Sequence, residues 1–373
     1  MQEFLKCTPT VFVIEKEYEI LLNLNAFGIC FLKIGDRCYY EENSGVLPSE
    51  RTVVKIRVPQ AALDATREYE VIFRETEERK RYWSVFLPPV SRKFAFRPLT
   101  KKDDIRIYYI SDVHGCFEQA MQAAAYFGEQ TDLFVFNGDM GEPMAEQNFL
   151  RVCRFTGEIT GGRIPAVFAR GNHDTRGRLA EKYTDYFPAN GKKTYYTFEL
   201  SHLCGIVLDF GEDKLDVSLE YDSSKNTPAE YLGINRFHAY REAELEFLKQ
   251  LAPRADKPML VITHVCPAMV TQKLGGEFDI DRPLYAACSR ELDRISPSLM
   301  LCGHYHVPFY LSPEDARNLN PHAYPIVMGA NRVPTSDAHE HFGGTAIHLK
   351  GHTAKVAFTD EAHTVWDCFT LDI

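Results

Sequence analysis

The chain has 373 residues, more than a single domain usually holds, so two domains are expected. Its 45 % hydrophobic and 25 % charged residues exclude a disordered or fibrous protein. A net charge of −10, from 42 Lys and Arg against 52 Asp and Glu, argues against a general nucleic-acid or membrane-surface binder.

Residues 1–90 read as short strands between turns. The runs starting at Thr10, Gly28, Thr52, Arg67 and Arg81 are rich in β-branched and aromatic residues with partial alternation. Gly35-Asp36, Asn43-Ser44-Gly45 and Pro59 supply turn signals. Strands without helices suggest a small all-β sandwich with no site-like cluster of His, Asp or Cys. Pro88-Pro89, Pro98 and the charged run Lys101 to Asp104 then mark a linker over residues 91–104. Charge divides at the same place. Up to Arg97 there are 15 basic and 14 acidic residues, and beyond it 27 and 38, so the front is neutral and the rest carries −11.

Over residues 105–373 the pattern changes to α/β. Apolar strands at 105–111, 132–139, 166–174, 258–264 and 299–306 alternate with helices at 117–130 and near 145–159, 241–252 and 285–295. Such an alternation implies buried sheets covered by helices. The ten cysteines are scattered through apolar runs without a C-x-x-C pair, which favours buried reduced thiols. Met1 to Cys7 has no signal-peptide pattern and no apolar run reaches membrane-spanning length, so a cytoplasmic location with no membrane partner is expected.

Five of the strands end in metal-ligand residue types: Asp112-Val113-His114-Gly115, Gly138-Asp139, Gly171-Asn172-His173-Asp174, Thr263-His264 and Gly303-His304-Tyr305-His306. Sites in open α/β sheets form beyond the carboxyl ends of the strands, so the five tips should converge. Alternation along a strand would put Asp112 and His114 on one face, and His304 and His306 likewise. Seven side chains (Asp112, His114, Asp139, Asn172, His264, His304, His306) exceed the four ligands of one tetrahedral zinc and suit two ions bridged by Asp139. Imidazole and carboxylate without thiolate favour Mn, Fe or Zn. Cys116 and Cys266 lack ligand spacing and read as packing residues. Any one of these motifs is common by chance; the ordered set is not.

That ordered set resembles the calcineurin-like metallophosphoesterase superfamily over about residues 104–350. The resemblance implies a four-layer α/β/β/α sandwich around a binuclear centre. It places Asp112, His114 and His306 on one ion, Asn172, His264 and His304 on the other, and Asp139 between them. The front region looks like the fibronectin- or immunoglobulin-type β-sandwich that precedes some members, purple acid phosphatases included. Those enzymes have Gly where this chain has His114, and a metal-bound Tyr where it has Glu142. The His114 pattern is closer to the protein phosphatase and phosphodiesterase branches.

The implied activity is hydrolysis of a small-molecule or peptide-borne phosphate mono- or diester by a metal-bridging hydroxide. Two divalent ions carry +4, and two aspartates with hydroxide return −3, leaving a +1 centre for phosphate. His173, next to Asn172, is expected to face the substrate and either protonate the leaving alkoxide or hydrogen-bond the phosphoryl group, with Asp174 orienting its ring. Arg236, His238 and Tyr240, in the long segment 211–240, are candidate substrate contacts, and 265–285 is a second rim. His339-Glu340-His341 resembles a metal pair but reads as solvent-exposed. The competing readings are a nuclease of the same superfamily, disfavoured by the −11, and a non-catalytic, metal-stabilised scaffold.

Overall fold

The computed structural model describes residues 3–41, 43–141, 144–211, 235–254, 256–269, 282–329, 331 and 341–373. The front of the chain runs β1 (Thr10–Ile14), β2 (Glu17–Asn23), β3 (Gly28–Ile34), β4 (Arg37–Tyr40), β5 (Val53–Pro59), α1 (Gln60–Thr66), β6 (Glu68–Arg79), β7 (Ser84–Phe86) and β8 (Val90–Ala95). Next come β9 (Ile105–Ile110), α2 (Phe117–Ala124), β10 (Leu133–Asn137), α3 (Glu146–Thr160), β11 (Pro165–Ala169), α4 (Tyr183–Tyr186), β12 (Tyr196–Leu200) and β13 (Leu203–Leu208). The chain finishes with α5 (Phe237–Gln250), β14 (Met259–Thr263), α6 (Arg282–Ile295), β15 (Leu299–Cys302), β16 (Phe309–Leu311), β17 (Ile326–Met328), β18 (Gly344–Lys350), β19 (Thr353–Thr359) and β20 (Val365–Asp372).

Two large sheets face each other. One has nine strands in the order β20-β19-β18-β9-β10-β11-β1-β2-β5, the other six in the order β12-β13-β14-β15-β17-β16. Ile107, Tyr109, Val135 and Val167 from the first share a core with Val207, Leu260, Ile262, Leu301 and Val327 from the second. The outer face of the nine-stranded sheet (Tyr108, Phe134, Phe136) is covered by Ala120, Ala123, Phe149, Val152 and Phe155 from α2 and α3. Leu245 and Leu248 of α5 and Cys288, Leu292 and Ile295 of α6 cover the outer face of the other. The result is the expected α/β/β/α layering. The central strands of both sheets are buried on both sides, which is why β9, β10, β11, β14 and β15 read as nearly continuous apolar runs.

The β-rich front is present, but it attaches differently from the sequence expectation. A third sheet of β4, β3, β6 and β7, with β8 on β6, packs through Leu32, Ile34, Tyr69, Val71 and Phe73 against Ile20, Leu22, Val54, Ile56 and Val58. Those last residues lie on β2 and β5, which belong to the nine-stranded sheet because β1 pairs in parallel with β11 through Val11↔Pro165 and Phe12↔Ala166. A division at residue 90 therefore cuts through a shared sheet. The segment expected as a linker (91–104) is packed as well: β8 pairs with β6, and Phe94, Phe96 and Leu99 are buried. Burial alternates along it, with Phe94 and Phe96 buried and Lys93 and Ala95 exposed, the mark of a half-buried strand rather than a tether. The front also contains one helix, α1, directly after Pro59.

Further bonds weld the junction. Lys55 Nζ donates to Thr184 O and Phe187 O, both at 2.8 Å, and Arg57 Nη2 to Ala189 O at 2.8 Å. Glu19 lies between the two cations, 3.2 Å from Lys55 and 3.0 Å from Arg57. All ten cysteines are free thiols, six of them buried; Cys38, Cys116 and Cys368 are exposed, so Cys116 is not the packing residue expected. Among the described residues no helix is long and apolar enough to cross a membrane.

Candidate metal centre

Each of the five motif segments follows the carboxyl end of its strand, and the two facing sheets bring the tips together. The ligands do not sit on the strands themselves. β9 stops at Ile110 and β15 at Cys302, and beyond them Asp112, His114, Asp139, His304 and His306 have φ of +54, +44, +55, +76 and +56°. Strand alternation therefore does not align these pairs; successive left-handed turns do. Such backbone is costly for residues with a Cβ and persists where surrounding structure enforces it. Gly138 and Gly171 make room for it. A Cβ on Gly138 would lie 2.6 Å from His264 Nδ1, and one on Gly171 would lie 2.1 Å from Asp139 Oδ1.

Asp112, His114, Asp139 and His306 each offer a ligand atom, all within 4.8 Å of one another. His306 Nε2 is 3.3 Å from Asp112 Oδ1 and 3.1 Å from His114 Nε2, which in turn is 3.6 Å from Asp139 Oδ2. His264 Nε2 approaches from the other sheet, 3.1 Å from Asp139 Oδ2 and 3.6 Å from Asp112 Oδ1. His304 Nδ1 and Asn172 Oδ1 meet at 3.0 Å, with the His304 ring edge-on to His264 at 5.6 Å. All seven residues expected from the sequence thus belong to one constellation. It opens to solvent on the side of His306, whose side chain is 38 % exposed, whereas Asp112, Asp139 and His264 are buried.

The electrostatics fit a divalent cation. Two buried carboxylates face one set of imidazoles. Burial alone would push the His264 ring down, yet Asp139 and Asp112 overcome it and hold it up at about 10. Asp139, although fully buried, is held well below the usual carboxylate range by His264 and the surrounding imidazoles. Asp139 Oδ2 and His264 Nε2 are buried and face each other without a hydrogen bond, as two ligands of one ion would. His264 Nδ1 donates its proton to Asn137 O at 2.7 Å, so Nε2 is the nitrogen that faces the carboxylates and would exchange its proton for a bound cation.

His173 and Asp174 follow Asn172 in a 3-10 turn, His173–Thr175. The His173 N–H donates to Asp139 Oδ1 at 2.8 Å, and its half-buried ring stands edge-on to His114 at 4.9 Å. Asp174 does not orient that ring. Its Oδ2 accepts the N–H of Gly171 at 2.9 Å and of Asp139 at 3.0 Å, locking two motif loops together. The reason is geometric: successive side chains in a 3-10 turn diverge by a third of a revolution. Burial and the neighbouring Asp139 charge push Asp174 up to about 7. The group beside the His173 ring is Arg176, whose Nη1 is 3.1 Å from both ring nitrogens.

The expected substrate contacts are not assembled as a set. Tyr240 directs its hydroxyl to Thr194 Oγ1 at 2.7 Å and Asp209 Oδ2 at 3.4 Å. His238 pairs with Glu242 at 3.6 Å, i to i+4 on the exposed face of α5, and Arg236 is an exposed residue at the start of that helix. A helix begins where a loop was expected, and it commits Tyr240 to Thr194 and Asp209 while His238 and Arg236 are exposed. Residues 212–234, most of the rim at 265–285, Glu142, His339 and Glu340 lie outside the described residues. His341 pairs with Glu361 at 2.7 Å and is partly buried rather than solvent-exposed.

The supports of the site leave almost no trace in the sequence. Asn137 Nδ2 donates to Tyr109 Oη at 3.0 Å and across to the second sheet, to Thr263 O at 3.0 Å and Leu301 O at 3.2 Å. Tyr109 Oη donates to Cys302 O at 2.5 Å. This buried network ties the strands carrying Asp112, Asp139, His264 and His304. Its only signal in the sequence was one amide ending an apolar strand, Leu133–Asn137. Arg170, paired with Asp209 at 2.8 Å, anchors the Gly171 loop from beneath.

A profile of the calcineurin-like phosphoesterase family matches residues 105–308. No curated protein matches in sequence. A purple acid phosphatase from yellow lupin (Lupinus luteus) seeds superposes with a TM-score of 0.62 at 12 % identity, covering 98 % of this chain and 74 % of that one. The structure of PhoD superposes with a TM-score of 0.58 at 11 % identity, covering 100 % and 91 %. At these identities the likeness is one of fold, and it runs beyond the family match into the front region. With the ordered motifs converging on a buried Asp and His cluster, the chain belongs to the calcineurin-like phosphoesterase family and is a phosphate-ester hydrolase.

Proposed function

We propose that the protein hydrolyses compact phosphate esters, small or peptide-borne, with two ions of the Mn, Fe or Zn type. Asp112, His114 and His306 would hold one, Asn172, His264 and His304 the other, with Asp139 shared. The observation that carries this reading is the approach of Asp112, His114, Asp139 and His306 to within 4.8 Å, with His264 against both carboxylates. When bound, such ions polarise a phosphoryl group and lower the pKa of water to about 7.

The chain's own residues do the rest. Asn137 fixes the tautomer of His264, and the His173 N–H fixes the Asp139 carboxylate. The His173 ring, beside His114, is placed to hydrogen-bond the phosphoryl group or to deliver a proton to the leaving oxygen. The −11 beyond Arg97 supports a compact ester over a long polyanion. Ten free thiols support a reducing, cytoplasmic setting.

The test is metal analysis of protein purified without added metal, followed by parallel assays on an aryl phosphate monoester and diester. Two ions per chain and turnover lost to chelator and restored by Mn²⁺ are expected. Turnover of neither ester by fully loaded protein overturns the reading.

A further inference from the structure

We infer that Arg170 and Asp209 are a positioning pair for one of the two ions. Their ion pair crosses between the facing sheets and sets the affinity of the site assigned to Asn172, His264 and His304, without supplying a ligand atom. The inference rests on the two-ion phosphoesterase reading above. Asn172 follows β11 of the nine-stranded sheet, whereas His264 and His304 follow β14 and β15 of the six-stranded one. Their separation therefore depends on how the two sheets are held at this end. Arg170 directly follows β11, two residues before Asn172. Asp209 directly follows β13, and the register Leu208↔Thr263 makes Asp209 and His264 the next residues beyond two paired strands. Arg170 Nε is 2.8 Å from Asp209 Oδ2, so one ion pair joins the segments that carry two ligands of the same site.

Both partners are clamped. The Arg170 side chain is 14 % exposed, and its guanidinium lies 5.7 and 5.6 Å from the ring centroids of Tyr183 and Tyr240. Asp209 Oδ1 accepts the Gly211 N–H at 2.8 Å, and Oδ2 accepts the Thr194 hydroxyl. The Asp209 N–H in turn donates to Glu244 Oε1 at 2.5 Å. The two charges answer each other, so the pair acts on the site through geometry and not through its field. The loop beyond Arg170 has no slack to absorb a shift. Gly171 N–H is held by Asp174 Oδ2 at 2.9 Å, and a Cβ on Gly171 would lie 2.1 Å from Asp139 Oδ1. Movement at Arg170 is therefore passed on to Asn172, as strain is in any close-packed interior.

The experiment compares wild type with Arg170→Met, Asp209→Asn, the double variant and Arg170→Lys. Metal-free proteins are titrated with Mn²⁺, their Tm is measured, and inorganic phosphate binding is measured on the loaded proteins. Each neutral single variant strands a buried charge and should lower Tm, whereas the double variant removes both charges and should recover most of the loss. Metal affinity should not recover with it. One of the two ions should bind roughly 10–100-fold more weakly in all three, the effect of losing an outer partner, while the other holds within about threefold. Arg170→Lys keeps the charge without the planar fork and should lose less. Metal affinity that returns with Tm in the double variant would mean that the pair only holds the fold, and that overturns the inference. Equal weakening of both ions overturns it as well. So does lost phosphate binding with both ions intact, which would make Arg170 a substrate contact. If wild type binds two ions but hydrolyses neither aryl ester, the phosphoesterase reading fails and the Mn²⁺ titrations alone decide on the pair. A wild type that holds fewer than two ions overturns both.

Discussion

Among the regions where this protein buries charge, two do so in opposite ways. At the junction of the front sheets, Glu19 lies between Lys55 and Arg57, and the cations spend further protons on the carbonyls of Thr184, Phe187 and Ala189. At the strand ends, Asp112 and Asp139 stand together, fully buried, on left-handed backbone. One cluster has its counter-charges built in and joins elements. The other concentrates negative charge among lone-pair donors and accepts strain to do so. Buried charge with its partners supplied holds the fold; buried charge short of positive partners marks the functional site.

The sharpest way to break this contrast is Asp139→Asn. Metal stoichiometry should fall below the wild-type value, and activity should drop on the order of 10³-fold or more, beyond the 10–100-fold usual for an outer partner. Tm without metal should fall modestly, because the His264 ring loses one of its two carboxylate partners and keeps Asp112. A fall as large as that of a core substitution would show that the cluster holds the fold.

Asn137→Leu should give a mixed result. Thr263 O and Leu301 O lose their donor, costing about 1–3 kcal/mol of stability. Metal affinity should drop by roughly 10-fold as His264 and Asp139 lose support. Denaturant unfolding and metal titration separate the two effects.

Lys55→Met should do the reverse of Asp139→Asn. Stability should fall by about 1–3 kcal/mol, below the full cost of stranding a buried charge because Arg57 still faces Glu19. Metal content should stay at the wild-type value, and loss of metal would erase the distinction between the regions.

The smallest effect concerns Glu244, buried beneath the Arg170 and Asp209 pair, where burial and the Asp209 charge push its carboxyl from 4.5 up to about 8. A raised folded pKa favours the protonated form, so its contribution is complete below about 4.5 and is lost as pH rises through 8. Glu244→Gln should flatten the stability profile over that window, and an unchanged slope would show that another group sets it.

The site was legible because buried parallel strands are continuous apolar runs, and a polar motif that ends one stands out. Asp112-x-His114, Gly138-Asp139, Gly171-Asn172-His173-Asp174, His264 and Gly303-His304-x-His306 show residue types and chain order, and their resemblance to a known family implies the α/β/β/α class. Other features depended on contacts that leave no local trace. The parallel pairing of β1 with β11 joins residues about 150 positions apart and shows in neither segment, so the front looked separable. The left-handed conformation of five candidate ligands is imposed by the facing sheets, because no periodicity encodes a turn that tertiary packing enforces. Asp174 and Tyr240 carry groups fit for a site, yet the turn and helix on which they lie direct them to backbone amides and to Asp209. Residue chemistry and strand patterning are local, and the chain order alone reveals them. Which side chains meet, and which charge is left in need of a cation, is settled only when the two sheets close on one another.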